Sequence, residues 1–176
     1  MGIEFSRVII NLVLFQIGWF SIVLLGATEL HVLASVVAVI IVSIHLYLSS
    51  KPLVEVKLIL CALYIGLIWE SVIYQWGLLV YSYGQLGSVI APHWIILMWA
   101  LFATTLNVSL RWMKGRWALS ILFGTIGGPL AFYAGFKLNA VHIPDVPLAM
   151  IVLGVGWGVL TPCMVWCAQR YDGVKL

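Results

Sequence analysis

Charge is what this sequence lacks most: of 176 residues only 9% are Asp, Glu, Lys or Arg, while 64% are hydrophobic. Soluble chains carry about 25% charged and about 45–50% apolar residues, so an ordinary water-soluble domain is excluded. Polar stretches longer than about ten residues are missing too, which leaves no space for a second, soluble domain or a linker. Cysteine is scarce, and Cys61, Cys163 and Cys167 all fall inside apolar stretches, where a thiol acts as a small hydrophobe. The sequence has no nucleophile elbow, phosphate loop, dinucleotide fingerprint or zinc signature. No cofactor and no metal is therefore expected, and the net charge of +3 reflects loop topology rather than nucleic-acid binding.

What the chain does contain is long apolar runs, of about 17 to 24 residues, set between small clusters of charge; about 20 apolar residues in a helix cross the roughly 30 Å hydrocarbon core of a bilayer. Backbone groups left unpaired in lipid cost several kcal/mol, and the runs lack the alternation of a barrel strand. The expected fold is all-α: a polytopic membrane protein, residues 1–176 forming one bundle of about six transmembrane helices. They are placed near 8–26, 30–48, 57–80, 94–110, 117–136 and 147–168. The first run, Val8 to about Gly26, exceeds the 7–15-residue core of a secretory signal and is read as a retained helix. Ser49-Ser50-Lys51-Pro52, the glycines at 84 and 87 with Pro92, and Pro144 with Pro147 mark the breaks.

Orientation follows from the basic residues. Arg7, Lys51, Lys57, Arg111, Lys114, Arg116, Arg170 and Lys175 fall on one side of a six-helix arrangement and only Lys137 on the other. The positive-inside rule makes the first side cytoplasmic, with both termini there. Trp76, Tyr81, Tyr83 and Trp94 gather at the opposite boundary and Trp112, Trp117, Trp166 and Tyr171 at the cytoplasmic one, as interface anchors do.

Helix 5 carries two adjacent rows of small residues, Ser120, Gly124 and Gly128 in one and Gly127, Ala131 and Gly135 in the other; helix 6 has Gly154 and Gly158. Such faces let backbones approach, so helices 5 and 6 are expected near the bundle centre, with homo-oligomerisation or a membrane-protein partner as the other use of the same faces. Pro129 removes a donor in mid-helix and should kink helix 5.

Glu70 is the formally charged residue deepest in a spanning run. It lies roughly 20 Å along the helix from Lys57, beyond the midpoint, and a central acid costs about 2.5–3.5 kcal/mol on insertion scales, so it should face protein or water. Gly66, Tyr74 and Gly77 share its face, which gives the carboxyl space and a phenolic partner in Tyr74. Thr104, Asn107 and Arg111 form a second polar face on helix 4, and Asn11 and His45 join Asn107 and Arg111 at similar depth near the cytoplasmic boundary. Asn107 lies roughly 6 Å inside Arg111, too far from Glu70 to touch it; on helix 4 the level of Glu70 is nearer Trp99. His31, His93 and His142 occupy three connections on the far side without fixed ligand spacing, and read as surface histidines.

Glu70-Ser71, Ala91-Pro92-x-Trp94, the run MWALFATTLNVSLRW from Met98 to Trp112 and GTIGGPLAFYAG from Gly124 to Gly135 resemble the bacterial membrane family catalogued as domain of unknown function 2878, over roughly residues 8 to 140. Val108 departs from the pattern, which has histidine there. The resemblance implies a small protein of the bacterial inner membrane, of unassigned activity, in a family whose genes look like neighbours of lipid-modifying and oxidative-stress genes. Three functions fit. In the first, a membrane-embedded enzyme or enzyme partner in lipid metabolism uses Glu70 as acid or base, with Tyr74, Trp99, Thr104, Asn107 and Arg111 as substrate contacts and membrane lipids as partners. In the second, a small transporter or channel component uses Glu70 as a proton or cation site; in the third, a non-catalytic scaffold holds other membrane proteins.

Overall fold

The computed structural model describes residues 2–175, all of whose long elements are helices: α1 Gly2–Leu25, α2 His31–Leu48, α3 Pro52–Gln75, α4 His93–Leu106, α5 Trp117–Lys137 and α6 Val146–Arg170, with a single 3-10 turn at Arg111–Met113. Five are long and apolar enough to cross a membrane. The sixth, α4, has 14 residues and measures roughly 21 Å, short of a full span; a succession of turns leads on from it to Met113.

Local chemistry sets the boundaries. Lys51 is extended before Pro52, which begins α3, because proline disfavours helix in the residue before it and lacks an N–H that the first turn does not need. At the other end Gly77, at φ +69, closes the helix: its N–H reaches the Tyr74 carbonyl and that of Leu78 reaches Ile73, the paired bonds of a left-handed glycine cap. Asn139, at φ 60, ends α5 the same way, with Ala140 N–H on the Gly135 carbonyl. The third helix therefore occupies 52–75 rather than the expected 57–80. That displacement takes Glu55 into the first turn of α3 and leaves Tyr81 in the connection beyond it.

The bundle centre is α4, not the expected pair α5 and α6. Trp94, Trp99, Leu101, Ala103 and Leu106 are essentially inaccessible, and α1, α2, α3 and α6 all pack on α4. Two apolar clusters, one around Trp94 and Leu101 and one around Trp99 and Met164, fill the layer between these helices. α5 stands outside, held chiefly by α6, through the small residues that the sequence singles out. A Cβ placed on Gly124 would stand 2.2 Å from the Trp157 carbonyl and one on Gly128 2.2 Å from Trp157 Cγ, so only glycine fits. Pro129 lies inside a continuous α5. The carbonyl of Thr125, which would have bonded the missing N–H, faces Gly154, where an added Cβ would stand 3.4 Å away.

The outward faces are apolar: Leu12, Ile17 and Leu24 of α1, Ile126 and Leu130 of α5, and Ile151, Val155 and Val159 of α6 are among many exposed large hydrophobics. A surface of that kind fits lipid as the surrounding medium.

Candidate functional site

Glu70 is fully buried, and two donors hold its carboxyl. Trp99 Nε1 donates to Oε1 at 2.9 Å and the Tyr81 hydroxyl to Oε2 at 3.3 Å. Gly66, one turn earlier on α3, makes the first bond possible. A Cβ there would stand 2.3 Å from Trp99 Cγ, so the glycine is the space in which the indole lies. Tyr81 arrives from the connection after α3: Val80 and His142 exchange backbone hydrogen bonds of 2.9 Å, and this bridge fixes the residue that follows. Tyr74, the phenol expected at Glu70, instead packs against the Tyr81 ring at 6.1 Å. Its neighbour in space could not be foreseen, because Tyr81 comes from a loop that helical periodicity does not describe.

Beside this cluster runs a cavity of about 520 Å³ bounded by α1, α4, α5 and α6. Ser109 and Leu110 line one end and Ala140 and Val141 the other, with Glu70, Tyr81 and Trp99 in the wall between. Its surface is mostly aliphatic and aromatic; Trp99 stacks on Trp157 at 4.7 Å and Phe102 meets Trp157 edge-on at 5.6 Å. Leu12 and Gln16 of α1 and Ala131 of α5 line it and are exposed, so it opens sideways between α1 and α5. The second small row of α5, Gly127, Ala131 and Gly135, faces this cavity; Gly124 and Gly128 of the first row also line it, while admitting α6 to close contact. Thr161 Oγ1 and Trp157 Nε1, on residues of the same wall, are buried without a hydrogen-bond partner.

The other expected site residues lie elsewhere. Asn107, Arg111 and Thr104 do not meet Glu70, as the depth argument requires of Asn107. Asn107 Nδ2 instead donates to Glu55 Oε1 at 2.7 Å and to the Tyr171 carbonyl at 2.9 Å, and Lys114 Nζ donates to its Oδ1. Glu55 is fully buried and also takes His45 Nε2 at 2.9 Å and the Gly173 N–H at 2.6 Å. Arg111, expected to orient a headgroup, pairs with Asp172 at 2.7 Å and donates to the carbonyls of Asn107 and Val174. Lys114 bonds Asp172 at 2.9 Å; burial holds its ammonium below the usual lysine pKa, against the pull of Asp172.

Residues 171–175 thus close over this end of the bundle, and Asn107, Arg111 and His45, which the sequence places at similar depth, belong to one hydrogen-bonded network there. Asn11 anchors α1 to it, donating to the Thr104 carbonyl at 3.0 Å and accepting from Ser109 Oγ at 2.7 Å. The Thr104 hydroxyl bonds its own helix, at the Leu101 carbonyl. Glu55 was missed because it stands two residues before Lys57, where the expected boundary put it in a polar turn.

At the opposite end His31 and His93 meet, with 3.0 Å between Nδ1 and Nε2, whereas His142 is exposed and bridges to Val80 by backbone alone. Among the described residues no group of three or more His, Cys, Asp or Glu side chains is placed to hold a metal ion.

Helices with apolar outer faces around an almost wholly buried central helix define a multi-pass helical membrane protein, with a carboxyl group in the wall of a lateral cavity. The chain belongs to the family described as protein of unknown function (DUF2878), which it matches over residues 8–163. No curated protein and no solved structure matches it.

Proposed function

We propose that this protein binds a membrane lipid by an apolar chain in the lateral cavity and acts in lipid metabolism, as an enzyme or an enzyme's partner, with Glu70 as the group that gives or takes a proton. We place it in the bacterial inner membrane with both termini cytoplasmic, the orientation that its basic residues favour. The observation that carries the reading is the position of Glu70 in the wall of a cavity that is apolar, aromatic and open towards the bilayer. Its volume lies within the roughly 300–1,000 Å³ usual for small-molecule sites, which are likewise mostly apolar with a few convergent polar groups. An ionisable side chain inside a membrane protein is costly to keep and is a functional candidate on that ground alone.

Tyr81 and Trp99 then serve as positioning residues that hold the carboxylate by its two oxygens. Thr105, Ser109, Thr161 and Gln16, with the indole N–H of Trp157, supply the few other polar groups along the cavity. A path for a hydrated cation needs a more polar lining than this, which sets the transporter reading second; a scaffold needs no cavity.

The test separates the three. Wild-type protein and the Gly127→Leu variant, which fills the cavity from a position where a Cβ meets only Phe123 at 3.8 Å, are purified in mild detergent and their bound lipids identified by mass spectrometry. Lipidomes of deletion cells complemented by each are compared. A lipid retained by the wild type, lost in Gly127→Leu and altered in abundance in deletion cells is the expected result. Unchanged lipidomes together with a proton- or cation-dependent flux in vesicles would favour the transporter. Neither a bound lipid nor a flux would leave the scaffold.

A further inference from the structure

The end of the bundle away from the tail holds a polar cluster separate from the lipid cavity. His31 is the first residue of α2 and His93 the first of α4, so two helix starts deliver two half-buried imidazoles to one place. The other nitrogen of His93, Nδ1, lies 2.7 Å from Ser35 Oγ, and that hydroxyl also reaches the His31 carbonyl at 3.4 Å. With that hydroxyl donating to the carbonyl it accepts from Nδ1–H, and His93 is then the tautomer whose lone pair lies on Nε2, the nitrogen facing His31 Nδ1. A partner behind the ligand nitrogen is what metal-bound histidines have, since it sets tautomer and ring orientation.

The spacing agrees with such a site. Two nitrogens bound at 2.0–2.1 Å stand about 2.9 Å apart in a tetragonal site and about 3.3 Å apart in a tetrahedral one; here they are 3.0 Å apart. Gly84 lies beside this pair, its missing side chain leaving room first of all for the Trp94 ring, 2.7 Å from where a Cβ would stand. At φ +84 it gives its carbonyl to the His93 N–H, and a Cβ there would come within 3.3 Å of Nε2. The Tyr83 ring stacks beside His31 at 6.2 Å and covers one side.

We propose that His31 and His93 form a two-imidazole site for a divalent first-row transition metal, with Ser35 as a positioning residue and the remaining coordination positions left to water or an added ligand. The usual affinity order places Cu²⁺ first among these ions, and the near-right-angle spacing suits it. His142, exposed and joined to Val80 by backbone alone, takes no part in the site.

Full-length protein without a polyhistidine tag, in detergent micelles, is titrated with CuCl₂ and followed by electron paramagnetic resonance. One equivalent should bind, with hyperfine structure from two imidazole nitrogens. His31→Ala and His93→Ala should each abolish that signal, Ser35→Ala should weaken binding by about 10- to 100-fold, and His142→Ala should leave it unchanged. The wild-type spectrum decides even if a variant fails to fold: absence of a stoichiometric two-nitrogen signal overturns the proposal, as does its survival in a folded His31→Ala or His93→Ala protein.

Discussion

Two fully buried glutamates on one helix have different surroundings, and the difference separates the roles proposed for them. Glu55 takes hydrogen bonds from His45, Asn107 and the Gly173 backbone, so both of its oxygens are engaged by protein. Glu70 has two donors and a cavity beside it. Glu55→Ala strands three buried polar groups, and breaking a buried charged network costs about 3–5 kcal/mol; a large fall in melting temperature in detergent is expected. Glu70→Gln keeps an oxygen for Trp99 and a comparable shape, so its melting temperature should stay close to that of the wild type while complementation of a deletion strain fails. Full complementation by Glu70→Gln would remove the proton-transfer role. Glu70→Ala belongs to the first kind, because it leaves Trp99 Nε1 and the Tyr81 hydroxyl unsatisfied at about 1–3 kcal/mol each.

At the level of elements, α5 does two things with two adjacent rows of small residues. Gly124 and Gly128 admit α6 to backbone contact, while Gly127, Ala131 and Gly135 keep the cavity wide. Gly128→Leu must displace Trp157, and overpacking of this sort costs about 1–3 kcal/mol; thermal unfolding should shift down by several degrees. Gly127→Leu meets only ordinary contact and should unfold near the wild-type temperature. Equal destabilisation by both would mean that the two rows share one packing role. The rows, the packing of α5 on α6 and the proline between them were legible as spacing alone, since small residues at four-residue intervals leave few alternatives. The centrality of α4 was not. Its run is matched in apolar character by that of α2, and burial on all sides is a property of its neighbours. The start of α3 was misread by five residues because Lys57 looked like the edge of the apolar stretch, although Pro52 is the residue that starts the helix. From that boundary followed the miss at Glu55, left in a turn; Tyr81, read as an interface anchor, comes from a loop whose path helical spacing does not describe. Trp99 at the level of Glu70 and the separation of Glu70 from Asn107 were readable, since both follow from rise per residue.

The whole molecule is closed at one end by its own tail. Arg7 donates to the Lys175 carbonyl, Lys51 N–H to that of Gly173, and Asp172 receives Arg111 and Lys114. The start of α1, the α2–α3 turn, the α4–α5 connection and the C-terminal segment therefore share an end, as an even number of crossings requires, and the basic residues are concentrated there. Reporter fusions at the two termini should consequently report the same compartment, the cytoplasm, and a fusion in the 138–145 connection the opposite one; termini reporting different compartments would contradict the bundle. The tail should also act as a unit with Glu55. Deleting residues 171–176 takes away the Gly173 N–H, the Tyr171 carbonyl and Asp172, leaving Arg111 and Lys114 as neighbouring cations without their acid. A fall in melting temperature comparable to that of Glu55→Ala is expected. Because both changes dismantle one network, the combined variant should fall well short of the sum of the two, by about 0.5–3 kcal/mol of coupling. A double-mutant cycle in detergent, read by thermal or denaturant unfolding, measures that coupling directly. Simple additivity would mean that Glu55 steadies the α2–α3 turn and the tail steadies the α4–α5 connection independently, and that the hydrogen bonds joining them carry no stability of their own.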